Sequence, residues 1–188
     1  MPRPRKPPRA ITPEYLDKAA LFYLERYASS AENLARVLMR RVEKAARAGI
    51  SDRDEGRRLV DALVERYRAR SLLDDKTYAE GRAKSLLRQG RPRAAIARRL
   101  AAKGVGSEAI DSALGSLTDE SADPDLSAAI AFARRRRLGP WRLKDRAEHR
   151  ERDLAALGRA GFSYNLARKV VSAETIEELE AMLAGSAP

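Results

Sequence analysis

The sequence predicts an all-α protein assembled from tandem three-helix units, and three observations carry that prediction. Alanine, leucine and arginine dominate the chain, a composition that favours helix over strand. Apolar residues recur at helical spacing, punctuated by Ser, Thr, Asp, Gly and Pro where helices start and stop. A leucine, a glycine four residues on and an apolar residue directly after it also recur. Leu100, Gly104 and Val105 in "LAAKGVGSEAIDSAL" correspond to Leu157, Gly161 and Phe162 in "LGRAGFSYNLARKVV". Counted along the chain there are three helices, then three, then at least three. Repeats of roughly 40–50 residues imply modules packed end to end, and hence an elongated molecule.

The elements follow in order. "MPRPRKPPR" carries four prolines and four basic residues, so residues 1–11 are expected to form an extended, disordered basic arm. Thr12 and Pro13 supply a cap and a first-turn proline for a helix striped by Leu16, Ala19, Ala20, Tyr23, Leu24 and Tyr27. Ser30 with Asn33 has the layout of a weakened capping box, opening a second helix striped by Leu34, Leu38 and Val42 and ended by Gly49. A third helix, roughly 53–70, buries Leu59, Leu63, Val64 and Tyr67, completing a first module over 12–73. In the second module, 74–120, Asp74 or Asp75 caps a helix whose inner face is Tyr78, Ala79, Ala83, Leu86 and Leu87. Gly90 stops it, and Pro92 begins a helix burying Ile96 and Leu100. Ser107 then caps a helix with Ile110, Leu114 and Leu117 inside. Asp123 and Pro124 open the third module, 121–188, with Leu126, Ala129, Ile130 and Ala133 facing inward and a further helix at the C-terminal end.

Charge narrows the function. A formal net charge of +11, from 38 basic against 27 acidic residues, points to a polyanion or to a partner carrying one. No stretch is long and apolar enough to span a bilayer, and the N-terminus lacks the apolar centre of a secretory signal. Zero cysteines and a single histidine, His149, remove disulfides, thiolate chemistry and His-based metal sites. A cytoplasmic protein without membrane contact is expected. No Gly-rich phosphate loop, zinc helix or nucleophile elbow is present, so no catalytic, cofactor-binding or metal-ligating residue is assigned, and the protein is not expected to be an enzyme.

"GRPRAAIARRLAAKGVGSEAIDSAL" has the outline of a helix-turn-helix, but its second helix offers Glu108, Asp111 and Ser112 and no basic residue. Phosphates would repel it, which disfavours base-specific readout. Charge without readout remains. Arg88, Arg91, Arg93, Arg98, Arg99 and Lys103 crowd the second module, and Arg134, Arg135, Arg136 and Arg137 stand together at a helix C-terminus. Arg98 lies about 200° from Ile96 on the helical wheel and so faces solvent when Ile96 is buried. One arginine would complement the helix dipole; four exceed that need. These ten residues are the candidate contacts to DNA or to an acidic protein surface. Trp141, next to Gly139 and Pro140, is read as a core anchor rather than a base-stacking platform.

"LLDDKTYAEGRAKSLLRQGRPRAAIARRLAAKGV", followed by "SEAI" and "AL", resembles the RecX family of recombination regulators. The resemblance rests on Leu73-Asp74-Asp75, the Tyr78-Ala79 pair, and Gly90, Ile96, Leu100, Lys103, Gly104 and Val105 at fixed spacings. "YLERYASSAENLARVLMRR" is similar to the family's first module, and "ARRRRLGPWR" through "LAALGRAGFSYNLARKVV" to its third, so about residues 12–173 are covered. Ala97 stands directly after Ile96 where the family commonly has arginine, and the first module carries the insert "EKAARAGISDRDEGR". The resemblance implies three tandem three-helix modules in a curved, elongated arrangement. It also implies a partner, the filament of the recombinase RecA on single-stranded DNA. The family modulates that filament, usually by inhibiting its ATP hydrolysis and strand exchange. A cytoplasmic monomer acting in recombination, DNA repair and the SOS response is expected. General, sequence-nonspecific binding to single- or double-stranded nucleic acid is the alternative, and a helical adaptor for another protein is a third reading.

Overall fold

The computed structural model describes residues 9–120 and 123–185, with the side chains of 119 and 120 left aside. The basic arm expected over 1–11 therefore lies outside the described residues except for 9–11. Ten α-helices and one short 3-10 turn, with no strand, make up the described residues, so the all-α expectation holds. The chain forms two compact units. The first runs up to Tyr78 and includes Lys103–Val105; the second comprises Ala79–Ala102 and Gly106 onward.

In the first unit, α1 (Pro13–Leu24), α2 (Ala31–Arg47) and α3 (Arg53–Ala69) pack around Leu16, Leu34, Leu38, Val42, Val60 and Leu63. Each such side chain contributes about 1.5–3 kcal/mol by leaving water. Leu63, Val64 and Tyr67 of α3 are buried as expected, whereas Leu59 is only half-buried and its neighbour Val60 is fully buried. Helix α1 ends before Tyr27, which stands exposed. The expected start signals act as caps: the Thr12 hydroxyl accepts from the Tyr15 N–H and the Ser30 hydroxyl from the Asn33 N–H. Asn33 does not complete a capping box. Its amide donates to Ser29 Oγ at 2.8 Å and to the Tyr23 hydroxyl at 3.1 Å, making a buried polar knot under α2. The Tyr67 hydroxyl donates to Asp17 Oδ1; burial and then the Asp17 charge push its pKa up to about 12.

The paired aspartates divide their labour. Asp74 caps α4 (Asp75–Arg88), accepting from the N–H of Lys76 and from both the N–H and hydroxyl of Thr77. The Thr77 bonds hold its carboxyl below the ordinary value. Asp75 Oδ1 accepts instead from the Ala31 N–H at 2.8 Å, closing the N-terminus of α2, while its Oδ2 lies 3.6 Å from Arg68 Nη2. Leu73, immediately before them, is buried in the same core.

The second unit holds the rest of α4, then α5 (Arg93–Ala102), α6 (Ser107–Glu120), α7 (Pro124–Arg136), a 3-10 turn (Gly139–Trp141), α8 (Arg150–Ala160), α9 (Tyr164–Ser172) and α10 (Ile176–Gly185). Ile96 and Leu100 of α5 and Ile110 and Leu117 of α6 are buried as expected. A larger core joins α7 to α10 through Leu126, Ala129, Phe132, Leu157, Val170 and Leu179, with Trp141 packed half-buried against it. Phe132 and Phe162 meet edge to face, 5.9 Å between ring centres, a geometry the aromatic quadrupole favours.

Candidate functional site

The basic surface of the second unit is built on the turn between α4 and α5. Gly90 adopts a left-handed conformation (φ +69°) and presses against α7: a Cβ there would lie 2.7 Å from the Phe132 backbone nitrogen. No other residue type fits this place. The Arg93 N–H donates to Asp125 Oδ1 at 2.8 Å, so the first turn of α7 caps the start of α5. Arg135 donates from its guanidinium to the Gln89 carbonyl. Three ties thus hold the α4–α5 turn along one side of α7, and they bring together arginines far apart in sequence.

Two hollows open beside that seam. The wider, about 450 Å³, is lined by Arg88, Arg134 and Arg135 over Ser127, Ile130, Ala131 and Leu183. The narrower, about 190 Å³, is lined by Arg91, Arg136 and Arg159 over Phe132, Ala156 and Ala160. No carboxylate lines either. The Arg136 guanidinium sits 5.5 Å above the Phe132 ring, a cation–π placement. Arg98 is exposed near the α8–α9 turn, its Nη2 3.4 Å from where a Cβ on Gly161 would stand. None of Arg88, Arg91, Arg98, Arg134, Arg136 and Arg159 forms an ion pair among the described residues.

The other expected positions are placed differently. Arg93 is half-buried, with its Nε buried and without a hydrogen-bond partner among the described residues. Arg99 and Arg137 are exposed but line neither hollow, and Arg137 closes α7 in a left-handed conformation. Lys103 belongs to the first unit: its Nζ donates to Asn33 Oδ1 at 3.2 Å and its carbonyl accepts from the Ser30 hydroxyl. Arg159 was not among the sequence candidates. It stands alone in "LGRAGF", and nothing in sequence spacing links it to Arg91; only the packing of α8 against α7 does so.

Two further arginines are occupied by the fold. Arg142 grips Asp153 with two bonds, Nε to Oδ2 at 3.1 Å and Nη2 to Oδ1 at 2.6 Å, and the Gly139 N–H donates to Oδ2 at 3.0 Å. Asp153 is 1% exposed. Burial alone would raise its pKa; the bonds from Arg142 and Gly139 outweigh it and hold the carboxyl below its ordinary value. Arg146 donates to the carbonyls of Val171, Ala173 and Glu174, closing the C-terminal end of α9. Among the described residues no cluster of His, Asp and Glu is placed to hold a metal, and no helix is long and apolar enough to cross a membrane.

Comparison with known proteins gives this geometry a family setting. Residues 74–114 match the model of a family described as RecX, second three-helix domain. The chain is 44% identical over 168 residues to the Regulatory protein RecX of Myxococcus xanthus, spanning 88% of this chain and 89% of that protein. It is 38% identical over 112 residues to the Regulatory protein RecX of Agrobacterium fabrum, covering 59% and 57% of the two chains. A crystal structure of regulatory protein RecX superposes with a TM-score of 0.57 at 19% identity, over 85% of this chain and 70% of that one, a likeness of fold.

Proposed function

The chain belongs to the RecX family, and from that premise we propose that it is a non-enzymatic regulator that binds the RecA–single-stranded DNA filament and lowers its ATP hydrolysis and strand exchange. Three helical modules, 12–73, 74–120 and 121–188, make up the regulator, which acts as a monomer in the cytoplasm. The observation that carries the reading is the pair of hollows beside α7, lined by six arginines, five exposed and Arg91 half-buried, over largely apolar floors with no carboxylate among them. Guanidiniums held in this way release counterions from a phosphate backbone on binding and offer forked donors to phosphate or carboxylate oxygens. Relatives bearing the name of a regulatory protein support a role exercised by binding rather than by catalysis.

Preformed RecA filaments titrated with the protein while ATP turnover is followed provide the test. Turnover is expected to fall as the added protein approaches the filament's stoichiometry; unchanged turnover at saturation overturns the regulator. The second reading, sequence-nonspecific nucleic-acid binding without RecA, is favoured by the absence of carboxylates from the same hollows. Charge reversal at Arg134–Arg137 separates the two. Equal losses of bare-DNA binding and of filament inhibition favour the general binder, whereas loss of inhibition alone makes the protein partner primary.

A further inference from the structure

Among the described residues, five helices end in the same turn. A left-handed residue, Gly49, Ser71, Gly90, Arg137 or Gly161, is followed by a residue whose N–H bonds back to a carbonyl five positions earlier: Ile50 to Ala45, Leu72 to Tyr67, Arg91 to Leu86, Leu138 to Ala133 and Phe162 to Leu157. In such a turn the residue after the left-handed one favours an apolar side chain packed back onto the helix. Four of the five carry an apolar residue there, buried at Leu138 and Phe162 and exposed at Ile50 and Leu72. The fifth has Arg91.

Arg91 is half-buried at the narrower hollow, and two more guanidiniums, from Arg136 and Arg159, share that lining over Phe132 and two alanines. None of the three has an acidic partner among the described residues. Gathering like charges over an apolar floor costs free energy. An apolar residue at position 91 would relieve that cost and satisfy the turn as well. The local preference is therefore broken at a helix end whose side chain joins two guanidiniums from other helices, and a ligand rather than the fold explains the residue.

We propose that Arg91, Arg136 and Arg159 form a discrete seat for one phosphate of a nucleic-acid backbone. Three helical segments, the α4–α5 turn, α7 and α8, each bring one guanidinium, and together they share the oxygens of a single phosphodiester. The inference rests on the nucleic-acid part of the function proposed above and adds to it a defined point of attachment in place of a diffuse field.

Binding of the full-length protein to fluorescent oligo(dT), followed by anisotropy across a salt series, tests the seat with Arg91→Met, Arg159→Gln and the double variant. Each single variant is expected to lower the salt slope by about 0.7, the value for one single-strand phosphate contact. The double variant is expected to bind as the worse single does, because both side chains hold the same phosphate. Additive losses, with the slope falling twice, overturn the seat in favour of a diffuse basic field. Inorganic phosphate added at constant ionic strength separates the two sources of the anion. Retention of oligo(dT) supports a backbone seat, and full displacement overturns it. Arg91→Met is expected to melt at or above the wild-type temperature; a lower melting temperature would make Arg91 a structural residue and overturn the assignment. RecA turnover measured in parallel keeps the two proposals apart. A wild-type protein that leaves turnover unchanged yet shows coupled losses on oligo(dT) defeats the regulator alone, whereas additive losses beside intact inhibition defeat the seat alone.

Discussion

Arg142 and Arg146 follow closely on the run Arg134–Arg137, yet their guanidiniums have opposite environments. Arg142 meets a buried carboxylate and Arg146 meets three backbone carbonyls at the end of α9. Arg136, by contrast, lies over an aromatic face and shares a hollow with two other arginines. The residue type is the same, the module is the same, and the difference lies wholly in what the fold places opposite. A guanidinium facing an acceptor is part of the structure. One facing its own kind is a demand for an anion from outside.

The largest expected effect comes from the occupied group. Asp153→Ala leaves the Arg142 guanidinium and the Gly139 N–H without their acceptor, and removal of one partner of a buried pair costs about 3 kcal/mol. Urea denaturation should show that loss as a lower midpoint, while oligo(dT) affinity measured below the unfolding range stays unchanged. The acid limb of the same experiment has a definite sign. The folded pKa of Asp153 lies below its ordinary value of 3.8, so the pair's contribution is complete above that value and disappears as pH falls through the depressed one. Asp153→Ala should lack this part of the acid sensitivity. A variant as stable as wild type would erase the distinction between the two groups of arginines.

A middling effect is expected where the two groups touch, at the turn that carries Arg91. Gly90→Ala forces a left-handed conformation on a residue with a side chain and drives its Cβ against the Phe132 backbone. The conformational part alone costs about 1–2 kcal/mol, and the turn must move away from α7, separating Arg91 from Arg136. Stability and oligo(dT) affinity should therefore fall together, a combination that neither Asp153→Ala nor Arg91→Met produces. Unchanged affinity in a destabilised Gly90→Ala protein would show that Arg91 works without the support of α7.

How far the sequence reaches can be judged from individual residues. Caps such as Thr12, Ser30 and Asp123 act within three residues of their positions, and the stripe Leu34, Leu38, Val42 needs only helical geometry, so these were legible. The roles of the arginines were not. Arg142 depends on an aspartate 11 positions away and Arg135 on a carbonyl 46 positions away. Arg159 joins Arg91 only because α8 and the α4–α5 turn both pack on α7. Asn33 shows the same limit at short range: its spacing from Ser30 suggests a capping box, but Ser29 and Tyr23 compete for its amide and win. On α3 the stripe Leu63, Val64, Tyr67 was legible, but Leu59 and Val60 are adjacent and both apolar, and only packing chooses between them.

The smallest effect on stability is expected at Arg134, and it is the most informative about the surface. Arg134 lines the wider hollow, is exposed and forms no ion pair among the described residues. Its only structural role is to complement the C-terminal end of α7, where Arg135 and Arg136 do the same. Arg134→Gln should therefore shift the urea midpoint by no more than the equivalent of about 0.5 kcal/mol. Its oligo(dT) salt slope should still fall by up to about 0.7, as for any lost single-strand phosphate contact. Its loss should add to that of Arg91→Met, because the two side chains line different hollows and share no phosphate. Additivity between the hollows together with coupling inside the narrower one would mark the latter as a site. If Arg134 and Arg91 instead proved coupled, the two hollows would act as one continuous anion-binding surface.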